Sequence, residues 1–171
     1  MAKPGLENVP TPYQRYVNLV SEQELIASLE DSRKETRDLI LSIPESKGLF
    51  SYLPGKWTIK ESLCHMIDVE RIFAYRALRF ARNDKTGLAG FEENDYAPES
   101  NAHSRSVAEI AEEMNRLRLT TIDLFKSFTP EMLLRGGKAN QMDLTVLALG
   151  YAISGHETHH RNIFLERYLV K

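Results

Sequence analysis

A chain of 171 residues, with 42% hydrophobic and 27% charged residues, has the make-up of one globular domain long enough to bury a full core. A formal net charge of −2 gives no basic face for nucleic acid, and no run approaches the roughly 18 apolar residues of a membrane span. The single cysteine, Cys64, excludes an internal disulfide, and the proline-bearing N-terminus has no apolar stretch resembling a secretory signal, so a cytoplasmic protein is expected.

Residues 1–20 read as an extended N-terminal arm of a single domain spanning 1–171. Pro4, Pro10 and Pro12 disfavour helix, while Tyr13, Tyr16, Val17, Leu19 and Val20 anchor the arm across the surface. The first helix starts at Ser21, where Ser21 and Glu24 have the spacing of a capping box. Leu25, Ile26, Leu29, Leu39, Ile40 and Ile43 follow at helical spacing, and Pro44 ends the run. The charged stretch from Glu30 to Asp38 reads as a solvated face.

Thr58 and Glu61 make a second capping box, and the spacing predicts a second helix over Ile59–Arg82 with His65 in its second turn. His65, Val69, Ile72 and Arg76 share one stripe on the shoulder of its apolar face. From Asn83 to Arg105 no helical pattern is present. A connection of that length permits the second and third helices to run parallel, and long irregular segments are often functional. Ser106 and Glu109 form a third capping box for a helix over Val107–Phe128. Thr129-Pro130 starts a short helical turn that Gly136-Gly137 ends, and a fourth helix begins after Asp143 as its cap and runs to about Leu169. No alternating strand pattern is present. The fold class expected is all-α, a four-helix bundle.

Three of the five histidines fall within Gly155-His156-Glu157-Thr158-His159-His160. The apolar residues of the fourth helix centre on the direction of His160; His156 lies about 40° from it and His159 about 100°, at 100° per residue. His156 and His160 therefore point inward, one turn apart, and His159 is peripheral. Two inward imidazoles each need a partner, and one metal ion serves both. Zinc-type ions commonly take three protein ligands and keep a position for water, and His65 on the second helix is the candidate third ligand. His103, in the crossover, reads as a solvated loop residue. The stretch also spells H-E-x-x-H, the metalloprotease signature. Its extended form needs glycine at 163 and histidine at 166, where Ile163 and Glu166 stand, and no strand is predicted to hold a peptide. The protease reading is set aside.

The run from Lys56 to Phe73, with Trp57 ahead of His65 and with His65-x-x-Asp68-x-Glu70-Arg71, resembles the first histidine motif of the DinB/YfiT-like superfamily. Gly155 to His160 resembles the second motif of that family, and Gly90 to Tyr96 resembles the segment after the second helix in one branch. The resemblance covers the chain from about Ser21. It implies an up-down-down-up bundle with a long crossover between helices two and three. It implies a divalent metal ion, zinc or nickel foremost, held by His65, His156 and His160. Association as homodimers is frequent in the family, and the resemblance further implies activity as a hydrolase or a low-molecular-weight-thiol S-transferase on a small-molecule substrate, a thiol in the second case; the charge and hydropathy read above leave nucleic acid and membrane out as expected partners.

Three neutral imidazoles leave an ion charged and open, so it would activate water or a thiol alike. Glu157, about 60° from the apolar centre of its helix, is a weak candidate for orienting a ligand or acting as a base; the plainer reading is a salt-bridged shoulder residue. Asp68 and Glu70 read as structural partners of arginines. Arg76 stands roughly 16 Å along the helix from His65, too far to touch the ion. Cys64 points away from His65 and reads as a packing residue. Asp95 and Tyr96 are placed at the mouth of the site. The alternative function is a non-catalytic metal-binding stress-response bundle, which a fourth protein ligand would mark.

Overall fold

The computed structural model describes residues 2–21 and 24–170. These form α1 (Thr11–Leu19), α2 (Leu25–Leu41), α3 (Ile59–Ala81), α4 (Glu93–Glu99), α5 (Val107–Lys126), α6 (Pro130–Leu134), a hairpin of β1 (Gly136–Ala139) and β2 (Met142–Thr145), and α7 (Val146–Ile163). A π-helical turn over Phe164–Tyr168 continues α7.

Four helices make the bundle. α2 and α3 each pack against both α5 and α7, so the order around the ring is α2–α5–α3–α7. The capping boxes of α3 and α5 are formed: the Thr58 hydroxyl accepts from the Glu61 N–H while the Glu61 carboxylate accepts from the Thr58 N–H, and Ser106 and Glu109 repeat the exchange. The two helices start side by side, where Glu45 pairs with Lys60 of α3 and accepts from the Val107 N–H of α5. Further along, Arg71 of α3 pairs with Glu113 of α5. The two helices run parallel, joined by the long crossover over 82–106.

Several sequence expectations are corrected. The N-terminal arm is not extended: it contains α1. Pro12 lies in the first turn, where a missing N–H breaks no helical bond. Tyr13, Val17 and Val20 then recur at helical spacing and are buried. α2 begins at Leu25, with Glu24 at the N-cap position and no side-chain cap bond. The expected Ser21–Glu24 box spans Glu22 and Gln23, which lie outside the described residues. The face from Glu30 to Asp38 is solvated except at Ser32 and Thr36, which are buried. The crossover is not wholly irregular, because Glu92 accepts from the Asn94 N–H and starts α4.

The strands were not expected either. Asn140 and Gln141 both take positive φ, the backbone that a two-residue hairpin requires, and Ala139 and Leu144 turn their side chains into the core. Leu88 of the crossover bonds to this hairpin through Lys138 O and the Asn140 N–H. Asp143 lies within β2, and the cap of α7 is Thr145, whose hydroxyl accepts from the Ala148 N–H.

The apolar core is in two parts. One gathers α1, the N-terminal half of α7 and the C-terminal halves of α3 and α5. The other gathers Ile40, the first turns of α3 and α5, and the π-helical turn. Between them lies a buried polar layer containing Ser32, Glu70, Arg118, His156 and Glu157.

α1 lies directly on α7, and Gly155 sets how close it comes. A Cβ at Gly155 would stand 1.9 Å from the Tyr16 carbonyl oxygen, so any side chain there must displace backbone. Gly155→Ala is expected to cost about 1–3 kcal/mol, as overpacking against a rigid neighbour does. Chemical denaturation checks this, and a wild-type midpoint would show that α1 yields freely.

Candidate metal centre

The histidines are delivered by the two neighbouring bundle helices α3 and α7. His65 lies in the second turn of α3. His156 and His160 lie one turn apart on α7, so both face α3. Nε2 of His156 stands 3.2 Å from Nε2 of His65 and 3.2 Å from Nε2 of His160. The three rings meet edge to face, with centroids 5.1, 5.0 and 4.5 Å apart. Their nearest ligand atoms all lie within 4.8 Å of one another, and among the described residues no Cys, Asp or Glu atom joins that group.

This donor set fits a divalent ion. Two nitrogens at about 2.0–2.1 Å from a tetrahedral zinc-type ion stand about 3.3 Å apart, close to both observed separations. Nε2 of His156 faces two other ring nitrogens at once. A proton there points at one of them, whereas a cation at the centre serves all three lone pairs. Protonation is also disfavoured. Burial pushes the His65 imidazole down to about 4, and burial together with the neighbouring imidazoles holds His156 and His160 well below the usual histidine range. At neutral pH the three rings are therefore in the uncharged form that ligation needs.

The cluster opens to two sides. A cleft of about 180 Å³ reaches His65 and His156 and is walled by Tyr16, Phe73, Arg76, Phe91, Glu93 and Met142. A second cleft, of about 230 Å³, reaches His160 past Tyr52, Trp57, Asn94 and Tyr168. Trp57 packs on His65 with centroids 4.7 Å apart. Tyr16 of α1 stands edge-on to His156 at 5.1 Å and to His159 at 5.6 Å. Burial raises the Tyr16 hydroxyl above the usual tyrosine range, with Arg15 opposing it, so it stays protonated.

The structure brings His65, His156 and His160 together and leaves His159 against Tyr16. Glu157 turns away from the histidines: it is buried, and its Oε2 accepts from Nη1 of Arg118 at 2.5 Å. Glu70 takes the other side of the same guanidinium, and Asp68 pairs with Arg71 at 3.7 Å. His103 is exposed and stands 3.3 Å from Glu61. Arg76 lines the same cleft as His65 and His156, held there by the Tyr13 hydroxyl and the Ala89 carbonyl. Asp95 and Tyr96 are not at the mouth of the site. With Cys64, Asp68 and Arg105 they line a separate cavity of about 480 Å³. It is their neighbours Phe91, Glu93 and Asn94 that wall the two clefts, because successive residues of the short α4 face different ways. Sequence reasoning missed Tyr13, Tyr16 and Arg118. Pro12 followed by Tyr13, Tyr16, Val17 and Val20 at helical spacing was the signal for the first two. A lone arginine among the apolar positions of the third bundle helix was the signal for Arg118.

The model of the DinB superfamily matches residues 28–164. Among solved structures, the fold is similar to YfiT from Bacillus subtilis, described as a probable metal-dependent hydrolase with an unusual four-helix bundle topology. The TM-score is 0.71 at 15% sequence identity, over 80% of this chain and 79% of that one. A search of curated proteins returned no match.

The depressed imidazoles link stability to pH. In the unfolded chain histidines take up protons from about pH 6.5 downward, whereas folded His65 resists until about 4. Between those values the unfolded state binds more protons, so the metal-free protein loses stability as pH falls. For His65 alone the loss reaches about 3 kcal/mol by pH 4. Denaturation midpoints from pH 7 to pH 4 check this; His65→Gln should flatten the slope, and an unchanged slope would contradict the assignment.

Proposed function

The chain belongs to the DinB superfamily, and on that premise we propose that it is a metal-dependent hydrolase acting on a small molecule at His65, His156 and His160. The observation that carries the reading is the convergence of three uncharged Nε2 atoms, two of the three separations being 3.2 Å, beside two clefts. An ion held there would supply a nucleophile at neutral pH by lowering the pKa of a bound water or thiol. Imidazole suits zinc, nickel, copper and iron; zinc or nickel is the ion proposed here.

The residues around the ligands have separable tasks. Tyr16, Phe73 and Phe91 give the smaller cleft an apolar wall that limits water beside the substrate. Arg15 and Arg76, the cations of that cleft, favour a substrate carrying negative charge. Among the described residues lining the two clefts Glu93 is the one carboxylate, and it is the base assigned here to take the proton released by the nucleophile. Glu157 does not do this, because Arg118 holds it.

A second reading, thiol S-transfer, is favoured by that last contact. With the motif glutamate committed to Arg118, no motif carboxylate is left to assist deprotonation of water, and a thiol, more acidic than water before it is ligated, has less need of a base. Elemental analysis of the native protein, followed by assays against ester and amide panels and against thiols paired with electrophiles, separates the two.

His160→Ala is expected to weaken metal binding by at least about a hundredfold, since loss of mere outer partners of ligands already costs 10–100-fold. Retention of metal in this variant would dismiss the site. Glu93→Gln is expected to lower the hydrolysis rate by about 10²–10⁴-fold with metal content unchanged, and thiol transfer much less.

A further inference from the structure

The guanidinium of Arg118 is buried at the middle of the bundle and ties its own helix to the other three long helices. Arg118 belongs to α5. Its Nε and Nη2 donate to the two oxygens of Glu70 on α3, both at 2.8 Å. Its Nη1 donates to Glu157 Oε2 on α7 at 2.5 Å, to Ser32 Oγ on α2 at 2.7 Å and to the Leu29 carbonyl on α2 at 3.2 Å. The two carboxylates stand on the two helices that carry the histidines. Glu157 lies between His156 and His160 in sequence, and Glu70 is five residues beyond His65.

We propose that Arg118 is a positioning residue of the three-histidine site, fixing the rotation and axial register of α3 against α7 so that Nε2 of His65 meets Nε2 of His156 and His160. This rests on the metal reading above. The planar fork is suited to the task. Two parallel bonds to Glu70 fix the guanidinium plane relative to α3, and the remaining Nη1 hydrogens then point in set directions to α7 and α2. A ligand set is useful only when held within about 0.5 Å of its productive geometry. A slip of one helix past the other by a small part of a turn would separate nitrogens that now stand 3.2 Å apart. Apolar packing alone permits such slips more readily than directional bonds between charged groups.

The test uses the full chain and Co²⁺ as probe. Affinity is read by chelator competition, and ligand geometry by the visible absorption of the bound ion. Glu157→Met keeps the side-chain volume and removes the acceptor of the Arg118 bond; Arg118→Lys keeps the charge and removes the fork. Each is expected to weaken Co²⁺ binding at least tenfold and to alter the absorption envelope. Glu113→Gln breaks the Arg71 and Arg105 pairs, an α3–α5 tie that does not reach α7. It is expected to lower thermal stability while holding Co²⁺ affinity within twofold and the spectrum unchanged. If Glu157→Met binds Co²⁺ with wild-type affinity and spectrum, Arg118 does not position the site; this variant decides the matter if Arg118→Lys does not fold. Failure of the wild-type protein itself to bind Co²⁺ would instead overturn the metal reading, and the role assigned to Arg118 with it.

Discussion

One guanidinium holds the centre of this bundle. Removing Arg118 and two carboxylates from water is costly, and their attraction offsets that cost only when every polar atom finds a partner. Here that condition is met. Each of the three nitrogens of Arg118 donates, to Glu70, Glu157, Ser32 and the Leu29 carbonyl. Burial works against the charge, but Glu157 and Glu70 more than compensate and keep the guanidinium protonated. Removing Arg118 would strip the partner from two buried carboxylates, a larger penalty than the net worth of the set. The arrangement therefore specifies which helix faces fit together more than it adds to stability.

That specification explains why the apolar core is divided. A continuous core would allow α3 and α7 to settle into several registers of similar energy, since hydrophobic packing is non-directional. The polar layer interrupts it at the level where the histidines must meet. On one side Leu29, Phe73 and Tyr151 pack with α1; on the other Leu63, Ile110 and Phe164 pack at the bundle end. The histidines lie against this layer at the seam between α3 and α7, with Glu157 turned into the interior and His156 and His160 turned to the clefts. Adjacent residues of one helix turn thus serve structure and site in alternation.

The four bundle helices were legible in the sequence because each carries a long apolar period, and α3 and α5 carry caps formed by residues three apart. His156 and His160 were legible for the same reason, since helical phase turns them inward and turns His159 out, whereas His65, on the shoulder of its helix's apolar face, was reached as the missing third ligand and by the motif around it. The parts that escaped are short or depend on distant contacts. α1 has nine residues and begins among prolines, so local propensity spoke against it and only its packing on α7 secures it. The hairpin has four residues a strand and owes its turn to positive φ at Asn140 and Gln141, the latter a residue type that seldom adopts it. Asp95 and Tyr96 were expected at the mouth of the site because they lie in the long crossover, but α4 turns them to another cavity and presents Glu93 and Asn94 instead. The partnership of Arg118 with Glu70 and Glu157 spans 48 and 39 residues, and no local pattern predicts it.

The division of labour bears on how reactions vary on this scaffold. The groups that must keep one geometry, the three imidazoles, stand on long helices clamped from behind. The groups that wall the clefts beside them stand elsewhere: Tyr16 on α1, Phe91 and Glu93 in the crossover, Met142 on the hairpin, Tyr52 and Trp57 in the loop before α3. These segments connect the bundle or lie on it, and their sequence can change without disturbing the polar layer. The same ligand set would then accept water or a thiol according to the walls around it, so the reaction is written in the connecting segments and not in the bundle. In this chain those walls are aromatic on both sides, with arginine and one glutamate in the smaller cleft. On the reading proposed above, that composition would select for a substrate with an apolar body and a charged end, and Glu93 would be the group on which a choice between water and thiol turns.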